Sequence, residues 1–205
     1  SRQRLPDIRR GEYEGLEQKL TDPEWAPDFG PADFNARSGA TATGARSLLI
    51  AYNVNLDTDD KSEANRIAGR LRTSGVLRRN EEGEKIVGPD GAPERVPGRF
   101  DALQAAGWMF DESTAQVSMN LLDHATTGMH TVTEAIREEA EKIGLSVTAG
   151  ELVGLVPLDA LLAAGRFYHA EAASASEADL VHAAVSGLGL DRIEPFDAGT
   201  RVIEW

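Results

Sequence analysis

Five positions in two apolar stretches carry side chains able to bind a polar ligand: Asn53 and Asn55 in the first, Gln116, Ser118 and Asn120 in the second. In the second stretch, AQVSMNLL, they alternate with Val117, Met119 and Leu121. Alternation of this kind places one set on each face of a β-strand. A carboxamide offers donors and acceptors together. The chemistry these residues can do is recognition, and none of them reads as catalytic. The plainer reading, solvated sheet positions, stays open beside it.

Two histidines, His124 and His130, flank ATTGM and stand near Asp123 and Glu134, which invites a metal reading. The spacing matches no recognised ligand set, so no metal is expected and His130 is read as a residue of a helix start. His169 and His182 read as surface residues of the terminal helices. The segment GATATG, residues 39–44, has glycines at a phosphate-loop spacing. It lacks the Lys-Ser/Thr that would follow and it precedes a strand, so nucleotide phosphate binding is set aside; its plainer reading is a tight backbone turn, and a ligand-pocket wall stays open beside it. No Gly-x-Ser-x-Gly or His-Glu-x-x-His pattern is present. The sequence contains no self-sufficient active site of these kinds.

The elements that must position these residues follow in order. Residues 1–28 have few apolar positions and read as an extended strap. Residues 30–39 form a loop, because Pro31 fixes φ, glycines bound the segment, and Asp33, Asn35 and Ser38 favour turns. A strand is expected at 46–55 and a helix at 60–74, with Asp60 and Glu63 at N-cap and N3 spacing. Residues 79–99 are polar and rich in Gly and Pro and read as a peripheral insertion, with residues 76–77 and 85–87 expected to flank a hairpin. Strands at 103–110 and 115–122 lead to a helix opened by a capping box of Thr131 and Glu134, and then to a strand near 145–155. The order β-α-β-β-α-β is the split βαβ signature of an α+β, ferredoxin-like sheet with helices on one face. Two more helices follow, from Pro157 to about 165 and over 176–186, and an extended tail at 201–205 ends the chain. The opposite sheet face is the expected place of function.

With 41% hydrophobic and 27% charged residues, the 205-residue chain can bury a core. It has no run near the ~18 apolar residues of a membrane span, no signal pattern, and no cysteine. A cytoplasmic setting is expected, with no membrane partner. The net charge of −13 argues against nucleic acid. An anionic ligand would need a local basic patch, for which Arg37, Arg46, Arg70 and Arg72 are the candidates nearest the loop.

The stretch GPADFNARSGATATGARSLLIAYNVNL, preceded by RRGEYEGLEQKL, resembles the folate-binding loop and first C-terminal strand of glutamate formimidoyltransferases, including the formiminotransferase part of formiminotransferase-cyclodeaminase. AQVSMNLLDHATTGMHTV, GELVGLVPLDALLAAG, GLGLDRIEPF and RVIEW extend the likeness over nearly the whole chain. The resemblance implies transfer of the formimino group from N-formimino-L-glutamate to tetrahydrofolate, a co-substrate, giving 5-formiminotetrahydrofolate and L-glutamate in histidine degradation.

It also implies that Gly30, Pro31, Ala32, Asp33, Phe34, Asn35, Ala36, Arg37, Ser38 and Gly39 bind folate. Asn53, Asn55, Gln116, Ser118 and Asn120 would face the substrate, since a pterin presents donors and acceptors along one edge. Family members begin with another subdomain that holds a catalytic histidine, and the expectation is that this chain has nothing corresponding to it. Its division is then 1–40 as linker with the loop and 41–205 as C-terminal subdomain, inactive alone. The missing subdomain would be a partner, in cis or as a separate chain, and a homodimer is left open. The rival reading is a stand-alone, non-catalytic module that binds folate or docks a protein.

Overall fold

The computed structural model describes residue 2 and residues 5–205, and the chain falls into two units that divide between Arg46 and Ser47. In the second unit, strand β1 (Ile50–Leu56) is central, and alternate residues Ile50, Tyr52, Val54 and Leu56 are fully buried. Helix α3 (Lys61–Leu71) follows, started by the Asp60 carboxylate, which accepts from the Ser62 amide. Its Ala64, Ile67, Ala68 and Leu71 form the predicted apolar stripe and are buried.

Strands β4 (Leu103–Met109) and β5 (Ala115–Leu121) make a hairpin, helix α4 (Met129–Glu141) crosses back, and β6 (Val147–Val153) joins the opposite side of β1. The order β4-β5-β1-β6, antiparallel throughout, is the ferredoxin-like α+β arrangement expected from the sequence. Helices α5 (Leu158–Tyr168) and α6 (Glu177–Leu188) pack on each other closely. A Cβ on Gly165 would stand 2.1 Å from the Leu180 carbonyl oxygen, so only glycine permits this approach.

Four local expectations change. Helix α4 starts at Met129, behind Gly128, with no side-chain cap. Met129 is fully buried and its carbonyl accepts from the Thr133 hydroxyl, which draws the first turn two residues ahead of Thr131. Val76–Leu77 (β2) pairs with Arg95–Val96 (β3) rather than with 85–87, whose Lys85 and Val87 bridge to Arg79 and Pro93 instead. The insertion is therefore a longer ribbon than expected. At the end of the chain, Asp197 caps a short helix α7 (Ala198–Arg201), and Val202 then bridges Val156. Pro157 is the N-cap of α5, which continues to Tyr168.

The first unit is no extended strap. Helices α1 (Leu5–Ile8) and α2 (Leu16–Lys19) and a 3-10 turn over Pro23–Trp25 fold residues 5–25 on themselves. The Lys19 ammonium donates to the carbonyl of Arg10 and lies 3.9 Å above the Trp25 ring. The small apolar surface of this segment is thus supplemented by backbone and cation–π contacts.

Candidate functional site

The loop over residues 30–39 adopts no regular element, as its composition dictates. The Asn35 carboxamide oxygen accepts from the amides of Arg37 and Ser38, and the Gly39 amide donates to the Asn35 carbonyl at 2.7 Å. Gly39 holds φ +61°, a left-handed conformation that closes the turn without steric cost. The Tyr13 hydroxyl donates to the Ala36 carbonyl at 2.6 Å, and the Tyr13 and Phe34 rings lie 5.5 Å apart. This turn leaves Arg37 exposed, with no ion pair among the described residues. A concavity of about 740 Å³ in the same unit is lined by Asp7, Lys19 and Trp25, among others, and by no residue of 30–39.

On the sheet, Asn53, Asn55 and Gln116 come together as the alternation predicts. Residue pairing puts Asn55 opposite Gln116 and Asn53 opposite Ser118, and on the other side Asn53 opposite Glu151. Glu151 is the organising group. Its Oε2 accepts from Asn53 Nδ2 at 2.9 Å and from Gln116 Nε2 at 3.2 Å, and Gln116 Nε2 also donates to Asn55 Oδ1 at 2.9 Å. A carboxylate only accepts, so both amides must turn their NH2 groups toward it.

Asn53, Asn55 and Gln116 are buried, at 8%, 3% and 3% exposure, which mutual hydrogen bonding makes tolerable. Ser118 is half-buried and outside the network, and Asn120 makes a weaker contact with Gln104 at 3.4 Å.

Two side chains on this face were not singled out by the sequence reading. Glu151 sits in GELVGLV, and strand alternation with the buried Gly150 and Leu152 was the signal that would have placed it. Trp108, directly opposite Gln116 on β4, is 60% exposed. Its alternation with the buried Leu103, Ala105 and Gly107 marks it in the same way. Beside β6 a cavity of about 400 Å³ is lined by Phe110, Glu151, Leu190, Ile193, Phe196 and Arg201, among others.

The basic patch does not assemble as expected. Arg70 pairs with Glu139 at 2.6 Å, and Arg72 donates to the Gly75 and Ala105 carbonyls, so both serve the scaffold. The residues around the two central histidines are likewise engaged elsewhere. Asp123 accepts from Thr126 and Ala125, which hold its carboxyl below the usual range. Glu134 takes Arg137 and Tyr168, and His124 lies 3.7 Å from Asp159. The His130 ring lies 5.0 Å from that of Phe167, where burial lowers its pKa against an opposing pull from Glu134. Among the described residues no three histidines or carboxylates are grouped to hold a metal ion.

Residues 51–205 match the family model of the formiminotransferase domain, and residues 1–46 match that of its N-terminal subdomain. The second match overturns the expectation that nothing here corresponds to that subdomain. The matched segment contains no histidine, since all four lie between positions 124 and 182. The chain is 46% identical over its full length to the formimidoyltransferase-cyclodeaminase of Rattus norvegicus and 44% identical to that of Sus scrofa, covering 35% of each. It is 35% identical over 82% of its length to the glutamate formimidoyltransferase of Streptococcus pyogenes, covering 49% of that protein. The chain thus spans about a third of the length of the first two relatives.

Proposed function

The chain belongs to the formiminotransferase family, and from that premise we propose that it supplies the folate-binding wall of a glutamate formimidoyltransferase. The observation that carries this reading is the amide cluster of Asn53, Asn55 and Gln116, ordered by Glu151 on the sheet face away from the main core. A face lined with oriented amides suits a small ligand rich in donors and acceptors, whereas an apolar face would favour docking of a protein.

In the reaction, N5 of tetrahydrofolate attacks the formimino carbon of N-formimino-L-glutamate. The N5–C bond forms, the C–N bond to glutamate breaks, and a base and an acid move the protons through the tetrahedral intermediate. The residues of this chain act by positioning. The loop over 30–39 is by itself a second folate-binding element, in which the exposed Arg37 pairs with a ligand carboxylate. None of the four histidines stands on the polar strand positions, so the proton-transferring histidine is supplied from outside residues 1–46 and this face. A segment bearing that histidine is the partner this reading calls for.

The test is calorimetric titration of the 205-residue chain with 5-formyltetrahydrofolate. Micromolar binding is expected, and it should weaken when residues 30–39 are replaced by a flexible Gly/Ser linker. Absence of binding would remove the folate assignment of this face. Unchanged affinity in the linker variant would remove that of the loop.

A further inference from the structure

The two edges of the sheet are finished differently. Along β4, the outward backbone groups meet residues of α3 and its end. Leu103 exchanges bonds with Thr73, the Ala105 carbonyl accepts from Arg72, and the Gly107 amide donates to Asn65. Along β6, Glu151 and Val153 bond inward to β1, so Thr148, Gly150, Leu152 and Gly154 turn their backbone groups out. The Thr148 carbonyl accepts from Arg192, the Gly150 amide donates to Gly189, and the Gly154 carbonyl accepts from Arg201. Leu152 has neither its amide nor its carbonyl taken by any described residue, although it is only 8% exposed. A buried peptide group left unpaired is costly.

Leu152 opens on the cavity of about 400 Å³, a volume within the range of small-molecule sites. Phe110, Val153, Leu190, Ile193 and Phe196 give it apolar walls. Its charged members are Glu151, Glu194 and Arg201, and Arg201 is already paired with Glu194. Carboxylates therefore outnumber guanidinium groups, and an anion entering here meets net repulsion. Folate and N-formimino-L-glutamate are anions, so the cavity selects another kind of ligand.

We propose that this cavity binds a small neutral molecule of peptide type, which adds one residue to the open edge of β6. The N–H of that residue donates to the Leu152 carbonyl and its C=O accepts from the Leu152 amide, as in an antiparallel pair. Its aliphatic side chain fills the apolar cavity. The Gly150 bond to Gly189 on one side and the Arg201 contact at Gly154 on the other close the edge beyond. A single residue fits this gap and a longer strand does not. The inference is independent of the folate reading.

The experiment is an NMR titration of the 15N-labelled 205-residue chain with N-acetyl-L-leucine N-methylamide. Two controls are its analogue methylated on the leucine nitrogen, which lacks the N–H donor, and anionic N-acetyl-L-leucine. A saturable shift of the Leu152 amide is expected, with a Kd of about 1 mM for a ligand of this size. The N-methylated analogue should bind about tenfold more weakly, and N-acetyl-L-leucine more weakly than the neutral probe. Ile193→Asn, at a position 40% exposed, should keep the parent's melting transition and weaken the probe about fivefold or more.

No saturable shift at Leu152 would overturn the site. Equal affinity for the N-methylated analogue would mean cavity filling without strand pairing and would overturn it too. Tighter binding of N-acetyl-L-leucine would overturn the selection of a neutral ligand. Displacement of the bound probe by 5-formyltetrahydrofolate would assign the cavity to the folate site and overturn its independence.

Discussion

On β5, Val117, Met119 and Leu121 point to one side and Gln116, Ser118 and Asn120 to the other, yet Gln116 is as deeply buried as Met119. The two sides achieve that burial differently. The apolar side excludes water by close packing, with Ile50, Val54, Leu103 and Leu121 at or near zero exposure against the helices. Even its polar members are absorbed. The Tyr52 hydroxyl donates to Thr133, whose own proton goes to the Met129 carbonyl, and burial pushes the Tyr52 pKa up to about 12. The other side is held by directional bonds that converge on one carboxylate. Packing tolerates few volumes but fixes no polarity, whereas the Glu151 cluster fixes how the amides are oriented. A close-packed face and a hydrogen-bonded face can thus be cut from the same strands.

Substitution of single residues should break this contrast in graded steps. Leu121→Ala, on the packed side, should cost about 2–5 kcal/mol, read as a fall in the urea midpoint, because the rigid surroundings leave a cavity. Glu151→Leu should cost less, about 1–3 kcal/mol, since it leaves two amide NH2 groups facing an apolar side chain. It should also weaken folate binding beyond its effect on stability, and an equal loss at both faces would refute the division of labour.

Charges on the helical layer come next. Lys142 and Arg70 hold the Glu139 carboxyl below its ordinary value of 4.5. A folded-state pKa below the unfolded one stabilises fully above the unfolded value, and this contribution is lost as pH falls through the folded value. Glu139→Gln should therefore cost stability at neutral pH, by less than about 1 kcal/mol because Arg70 and Lys142 are half-exposed to screening water. The gap from the parent should close in denaturation curves below about pH 4. The smallest effect belongs to Asn120→Ala, next to Leu121 on the same strand. Its bond to Gln104 is long and half-exposed, and the midpoint should move by no more than about 0.5 kcal/mol.

Much of this architecture could be read from the chain. The alternation in AQVSMNLL, the Asp60 cap and the apolar stripe of α3 are local signals, and each element formed within a few residues of its expected place. The errors share a cause. Thr131 and Glu134 have the spacing of a capping box, but burial of Met129 starts the helix earlier, and Glu134 goes to Arg137 and Tyr168. Arg70 and Arg72 looked available for a ligand until partners distant in sequence, Glu139 and Ala105, took them. Residues 1–28 looked too polar to fold, yet Lys19 finds the Ile8 and Arg10 carbonyls and the Trp25 ring.

By itself, then, the sequence determined the strand and helix order, the two faces of the sheet, the irregular loop at 30–39 and the family likeness, because these depend on periodicity and on residues close in the chain. Only the tertiary structure decided that Glu151 would collect Asn53 and Gln116, and that Trp108 would stand beside them. Those groups come from four strands, β4, β5, β1 and β6, and their meeting depends on register. A slip of one residue in any strand would turn its member to the opposite face.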